Sequence, residues 1–425
     1  MEKRSPSHRF ATFFCWFMAV FLVLFPKAGI KIGPYPITWG YAFIAITVVP
    51  LLIVRLLALP LRFERSQIIA IAGLVPVQMI CLYTAIFYGI ENLGYAISTF
   101  FGLFALPWLF LLVYPPFFGF ADGVKLVRYF RLCILIAALW GIFLFFWHPL
   151  TGHYIEIPYL TVNADDYGQI ETTKHIDRGL FFKLISTYNN GNLYGVDTLI
   201  FLPLYELLEP VRWRRLAVKA ALLLTLSRTV WVGIVFYELL PVFSLLMSNA
   251  KSFPRVWLGK IGKTLGAVAV VVMLVFVSLL FNGSTLRFLF DPELGGRAGG
   301  VTIFVNSATW MPMSALSGFQ EVLYISAAQQ WGYVGGAAFM VFMISPLWLL
   351  LFDRSALKSR VRTAALQGLI IYMLMATSDG VFPWIPTMVF YWFTYMIYIF
   401  GLPAAHRSRV IQKKEEIILG LPSQA

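Results

Sequence analysis

Long apolar runs and short polar connections alternate along almost the whole chain. About twenty consecutive apolar residues are enough for a helix to cross the hydrocarbon core of a bilayer. Because most of the runs approach that length, the pattern predicts an all-α polytopic membrane protein in which residues 1–425 form one transmembrane domain. The twelve candidate spans are 10–26, 37–59, 67–88, 95–118, 129–147, 192–209, 214–226, 229–249, 264–281, 321–352, 363–377 and 382–402.

Composition and charge agree with a membrane protein and indicate its orientation. Hydrophobic residues make up 60% of the chain and charged residues 12%, whereas soluble domains carry roughly 25% charged residues. A net charge of +13 would suggest a nucleic-acid partner in a soluble protein, but in a membrane protein it reports the cytoplasmic loops. Alternate connections, beginning with the N-terminus, carry three or four lysines or arginines each. We therefore expect both termini, including the tail 403–425, in the cytoplasm, and no nucleic-acid partner.

Two long polar segments, 148–191 and 282–320, fall on the opposite side of the predicted membrane domain. Loops of this length in a compact domain commonly cover a functional site. The sequence therefore predicts a site on the outer side, beneath these two loops.

Arg228 interrupts the apolar run 220–247. A charge at bilayer depth costs at least about 2.5–3.5 kcal/mol, so such residues face a cavity or a partner. The charge pattern requires two crossings here, but the first has only about a dozen residues, or roughly 20 Å of helix. The chain should therefore turn near Thr225–Arg228, inside a cavity lined by protein or water. The alternatives are an arginine that snorkels from one long helix, or one that pairs with Glu206 or Glu238.

Further candidates lie in or beside the predicted outer loops. Arginine side chains bind phosphate oxygens through paired hydrogen bonds, so Arg178 and Arg297 could join Arg228 in binding a lipid-linked pyrophosphate. Glu321 opens the span after the second loop, where it could be a general base or simply stabilise a helix N-terminus. The Asp165–Asp166 pair lacks supporting ligands nearby, so we expect no metal site and no cofactor.

Two stretches of the chain resemble motifs of the O-antigen ligase and Wzy-type polysaccharide polymerase superfamily. Asn189-Asn-Gly-Asn-Leu-Tyr-Gly is similar to the family's Asn-Pro-Asn-x-x-Ala/Gly signature, with Asn190 and Asn192 at its fixed positions. Leu224-Thr-Leu-Ser-Arg-Thr-Val-Trp-Val-Gly resembles the Leu-Thr-x-Ser-Arg pattern and supplies Ser227 and Arg228.

A third, looser stretch resembles the family's second outer loop and the helix that follows it. It comprises Gly296-Arg297 and then Glu321-Val-Leu-Tyr. Two features depart from the family pattern. Val301 stands where a tryptophan is frequent, and no histidine occurs between 176 and 405, although the ligase branch commonly uses a loop histidine as base. The missing histidine favours the polymerase branch and leaves Glu321, or proton loss assisted by the substrate, as the route for the acceptor proton.

The resemblance implies a GT-C-like fold of about twelve transmembrane helices in the bacterial inner membrane, with two periplasmic loops. It also implies a metal-independent glycosyltransferase that joins undecaprenyl-diphosphate-linked oligosaccharide repeats into exopolysaccharide or O-antigen. The catalytic residues would be Arg228, Glu321 and Arg297. The substrate-binding residues would be Arg178, Asn190, Asn192, Ser227 and Tyr324.

The implied partners are the polyprenyl-diphosphate-linked donor and acceptor glycans, the lipid bilayer and a chain-length regulator of the polysaccharide co-polymerase type. Two other functions remain open from the sequence. One is an O-antigen-ligase-type transfer of glycan to a lipid or protein acceptor. The other, of a different class, is a flippase or transporter for lipid-linked sugars.

Overall fold

The computed structural model describes residues 6–32, 35–58, 63–118, 121–170, 182–247, 309–319, 322–352, 359–379 and 385–403, which are mostly helical. The first five helices are α1 (Pro6–Met18, followed by a π-helical segment Ala19–Leu24), α2 (Trp39–Ala58), α3 (Arg65–Phe87), α4 (Leu93–Phe118) and α5 (Gly123–Thr151). The others are α6 (Gly191–Leu208), α7 (Arg212–Leu224), α8 (Arg228–Met247), α9 (Leu323–Met343), α10 (Ser345–Phe352), α11 (Arg360–Met375) and α12 (Ile385–Phe400).

Four helices of the described part, α2 to α5, are long and apolar enough to cross a bilayer. The pair α9 and α10, bent by 53°, makes a fifth if it is one broken span. The prediction of a helical protein with several membrane-spanning segments is therefore confirmed. The count of twelve stays a prediction, because the run 264–281 lies outside the described residues.

Helix α6 lies at the centre of the bundle and is buried along almost all its length. It packs most closely against α11, where Gly368 faces the backbone of Ile200. A second small residue, Gly195, lets Val230 of α8 approach α6. Small residues allow membrane helices to pack with their backbones close together. These contacts fix the relative positions of α6, α8 and α11, whose ends build the site.

A β-hairpin precedes α2 and was not predicted from the sequence, which indicated only helices. Strands β1 (Gly29–Ile32) and β2 (Tyr35–Thr38) pair antiparallel, with Gly29 opposite Thr38. The hairpin contacts the first long loop: the backbone N–H of Lys31 donates to Asp165 at 3.0 Å, and the Lys31 ammonium contacts Asp166. The two aspartates considered as a metal pair therefore bind a lysine instead.

Ion pairs connect the helices near the C-terminal end of α6, here called the Glu209 end. Arg131 of α5 donates two hydrogen bonds to the Glu209 carboxylate, at 2.8 and 2.9 Å. Lys219 of α7 contacts Glu206 of α6 at 2.6 Å and also Glu238 of α8. These pairs join α5, α6, α7 and α8 at the end of the bundle opposite the site.

Candidate functional site

The chain breaks between α7 and α8, where the sequence predicted a turn. Helix α7 has 13 residues, which corresponds to about 20 Å, and α8 begins at Arg228. Leu226 between them adopts a left-handed conformation with φ of 49°, which is unfavourable for a residue with a Cβ atom. Thr225 and Ser227 beside it are buried. The predicted turn is therefore confirmed, and Arg228 occupies the first position of the helix after it.

Neighbouring segments satisfy the backbone groups exposed by this break. The N–H of Leu184, in the segment before α6, donates to the carbonyl oxygen of Leu224 at 3.1 Å. The indole N–H of Trp231 donates to the carbonyl oxygen of Leu223 at 2.9 Å. A buried helix end needs such partners. The break is thus a built feature of the fold, covered by the chain that leads into α6.

The segment before α6 is held against α1 and α5 by its hydroxyl groups. Ser186 donates to the carbonyl oxygen of Ala137 at 2.6 Å, and Tyr188 donates to that of Val23 at 2.7 Å. Asn190 then caps α6, because its side-chain oxygen accepts the N–H groups of Asn192 and Leu193 at 2.9 and 3.3 Å. Asn190 therefore orients the first turn of α6 as an N-cap.

The first turn of α6 lies directly against the break between α7 and α8. A Cβ atom on Gly191 would lie 2.6 Å from the carbonyl oxygen of Leu184 and 3.5 Å from that of Thr225. Only glycine fits at this contact. The two motifs that resemble the polymerase family, which are separate in the sequence, are therefore adjacent in the structure.

A chain of polar side chains crosses this region and reaches the end of α11. The ammonium of Lys183 donates to Asn192 Oδ1 at 3.2 Å, and Asn192 Nδ2 donates to Asp379 Oδ2 at 2.7 Å. Next to it, the hydroxyls of Thr229 in α8 and Ser378 lie 3.0 Å apart. The ends of α6, α8 and α11 thus meet at one place, which we call the Asn190 end of the bundle.

The hydrogen bonds of Asn192 fix the orientation of its amide group. Lysine is only a donor, so the amide oxygen of Asn192 must face Lys183 and its NH₂ group must face Asp379. Asp379 Oδ2 therefore accepts this hydrogen bond. With their ordinary formal charges at neutral pH, Lys183, Arg228 and Asp379 together give the site a net positive charge. The N-termini of α6 and α8 add partial positive charge, so the arrangement suits an anionic ligand.

Five of the eight predicted site residues lie in the described part of the chain, and four belong to this region: Asn190, Asn192, Ser227 and Arg228. Tyr324 lies at the start of α9, where its hydroxyl donates to the carbonyl oxygen of Met373 at 3.0 Å. It therefore joins α9 to the end of α11. The other three predicted residues, Arg178, Arg297 and Glu321, lie outside the described residues.

The sequence left open a pairing of Arg228 with Glu206 or Glu238. In the structure both carboxylates contact Lys219 instead. Glu238 also lies ten residues further along α8, or about 15 Å from Arg228 along the helix axis, which is beyond the reach of an arginine side chain. The arginine therefore belongs to the Asn190 end and not to this ion-pair network.

A second helix break lies in α9, at Gly332, where φ is 71°. Residues 309–319, the described part of the second long loop, run alongside it: Tyr333 N–H donates to Thr309 O at 2.9 Å. The buried Gln330 side chain also holds this segment, donating to Ala315 O at 2.9 Å and accepting from Ser317 N–H at 3.1 Å. Residues 309–319 are therefore fixed to α9 by main-chain and side-chain hydrogen bonds.

The sequence places Lys183 and Asp379 among the charged residues of the outer side without indicating a role in the site, and it gives no signal for Thr229 or Ser378. Asn192 and Asp379 are 187 positions apart, so no local pattern could have joined them. Within the described part of the chain, no group of three or more His, Cys, Asp or Glu side chains could hold a metal ion. No protein-family model matches the chain, and no curated protein matches it.

Proposed function

We propose that the protein is a polysaccharide polymerase of the bacterial inner membrane, with the GT-C-like fold and about twelve spans expected from its resemblance. The substrates are polyprenyl-diphosphate-linked oligosaccharide repeats, and the product is exopolysaccharide or O-antigen. The Asn190 end faces the periplasm, and the Glu209 end faces the cytoplasm. A chain-length regulator is the expected protein partner.

The observation that carries this proposal is the position of Arg228. It begins α8 directly after a buried break and next to the capped start of α6. Arginine, with the N-terminus of a helix behind it, suits the oxygens of a diphosphate. The same two motifs carry the family resemblance, and their adjacency supports treating them as one site.

The reaction needs positive charge where this site supplies it. An acceptor hydroxyl attacks the anomeric carbon of the donor sugar, and the bond from that carbon to the diphosphate oxygen breaks. The departing polyprenyl diphosphate gains negative charge as that bond breaks. Fixed cations placed at the leaving group stabilise the transition state more than the ground state. Arg228 fills that role, with Arg178 and Arg297 as further candidates in the loops.

Elongation by purified protein in detergent tests the proposal directly. Lipid-linked repeats are supplied, and the length of the lipid-linked glycan is measured on gels. The wild-type protein should produce a ladder, and Arg228→Ala should slow elongation by about 10²–10³-fold, as expected for loss of one group that stabilises developing charge. Arg360→Ala is the matched control, because it removes an exposed arginine at the Glu209 end.

The same assay separates the other functions. A ligase would leave single repeats unextended but would transfer finished polymer to a lipid or protein acceptor. A flippase would produce no covalent product, since detergent removes the membrane barrier. Full elongation by Arg228→Ala protein would remove Arg228 from the mechanism.

A further inference from the structure

Among the described residues, Asp379 is a buried carboxylate at the Asn190 end of the bundle. Its exposed fraction is 2%, although it follows α11 at the end of the bundle. Burying an ion costs several kcal/mol unless partners compensate. Asn192 donates to Asp379 at 2.7 Å, and the ammonium of Lys183 lies on the other side of that amide. The carboxylate is therefore held at the site, where it can accept a proton.

We propose that Asp379 is the general base that removes the proton from the acceptor hydroxyl. This proposal rests on the function proposed above and names a residue that the family resemblance did not indicate. Asn192 and Ser378 beside Asp379 are half-buried, and the acceptor hydroxyl approaches over these two residues.

The acceptor oxygen forms a bond to the anomeric carbon, and its proton moves to the Asp379 carboxylate. The bond between the anomeric carbon and the diphosphate oxygen breaks, and polyprenyl diphosphate leaves with that electron pair. Protonated Asp379 then returns its proton to the water on that side of the membrane. No metal, oxidant or other reactant is needed.

Lys183 and Asn192 are positioning residues in this scheme. The Asn192 amide donates to Asp379 at 2.7 Å and is itself oriented by Lys183 at 3.2 Å. Both ends of the amide are thus engaged, which holds the carboxylate in one orientation. The Thr229–Ser378 contact at 3.0 Å fixes the end of α11 to the first turn of α8. The Asp379 side chain and the first turn of α8, which carries Arg228, are therefore held at the same end of the bundle by these contacts.

The decisive variant is Asp379→Asn, which keeps the shape and the acceptor for Asn192 but removes the base. Turnover with lipid-linked repeats should fall by about 10²–10⁴-fold. Binding of polyprenyl diphosphate, measured with the purified protein by isothermal titration, should stay within about threefold of wild type. Asp166→Asn is the control, because it removes a partly exposed carboxylate that contacts Lys31 of the hairpin, and ion pairs near the surface contribute little.

Two results would overturn the proposal. One is an Asp379→Asn protein that elongates glycan at the wild-type rate. The other is loss of diphosphate binding together with a lower melting temperature, which would indicate that Asp379 only supports the fold. If Asp379→Asn does not fold, Asp379→Glu decides the question: a base shifted by one methylene should keep measurable turnover, and complete inactivity of a folded Asp379→Glu protein would refute the assignment.

Two substitutions of Asn192, compared by kcat and KM, test its positioning role. Asn192→Asp places a carboxylate beside Asp379, whereas Asn192→Gln keeps the amide. The Gln variant should recover part of the kcat lost in Asn192→Asp, with little change in KM for the donor. Absence of any elongation by wild-type protein would instead refute the proposed function itself, so the two failures are distinguishable.

Discussion

The contact between α6 and α11 gives the most quantitative prediction. A Cβ atom on Gly368 would lie 2.0 Å from the carbonyl oxygen of Ile200, whereas real Cβ atoms essentially never approach within 3.0 Å. The obstacle is backbone, so no side-chain rotation can relieve it. In Gly368→Ala, α11 must therefore move away from α6 by about 1 Å.

Two effects of this substitution oppose each other. Alanine is favoured over glycine inside a helix by about 1 kcal/mol. Overpacking costs about 1–3 kcal/mol, and a rigid backbone obstacle places this site near the upper value. The clash therefore wins, with a net loss of about 2 kcal/mol in the free energy of unfolding. The same movement should lengthen the 2.7 Å bond between Asn192 and Asp379, so turnover should fall as well.

Thermal unfolding in detergent, followed by size-exclusion chromatography, tests this reasoning. Gly368→Ala should melt a few degrees below wild type. The matched control is Gly318→Ala, because a Cβ atom there meets no atom within 4 Å. If Gly368→Ala and Gly318→Ala melt at the same temperature as wild type, the close packing of α6 and α11 is wrong.

Two further predictions concern the Glu209 end. Lys219→Met leaves the partly buried carboxylates of Glu206 and Glu238 without their cation. It should therefore lower the free energy of unfolding by about 2 kcal/mol, a value already discounted for partial exposure. Glu238→Gln should lower the free energy of unfolding less, and a lower melting temperature for Glu238→Gln than for Lys219→Met would contradict the network. Burial tends to raise the pKa of Glu209. Hydrogen bonds from Arg131 and from the N–H of Val211, together with the positive charges of Arg131 and Arg214, outweigh the effect of burial and lower the pKa below 4.5. Because the native pKa is lowered, this stabilisation is present above pH 4.5 and is lost as the pH falls through the native value. The melting temperatures of wild type and Glu209→Gln should therefore differ at neutral pH and converge in acid; a difference that is constant with pH would refute the ion pair.

Helix positions could be predicted from the sequence because membrane spans are long and uniformly apolar. The described helices begin and end close to the predicted runs. The break before Arg228 was also predictable, since α7 is too short to cross a bilayer. The β-hairpin at Gly29–Thr38 was not, because two four-residue strands leave no pattern distinct from a polar connection.

The site was predictable only in part. Local motifs indicated Asn190, Asn192, Ser227 and Arg228, which the structure brings to one end of the bundle. The connection to Asp379 depends on how α6 and α11 pack, and that packing is set by a glycine in the middle of α11. No local sequence pattern near Asp379 indicates its contact with Asn192. Long-range packing therefore determines that Asp379 lies at the same end of the bundle as Arg228.

The central claim is that the break before Arg228 opens to the periplasm and faces a lipid diphosphate. Leu226→Cys tests this claim, because Leu226 is a half-buried residue of the turn and its replacement keeps Arg228. The substitution is made in a protein whose three buried cysteines have been changed to alanine. A membrane-impermeant thiol reagent added to intact spheroplasts should label Leu226→Cys, and polyprenyl diphosphate should slow the labelling. Trp213→Cys, at the Glu209 end, should react only after permeabilisation. Labelling of Leu226→Cys that requires permeabilisation, or that polyprenyl diphosphate does not slow, would contradict the claim.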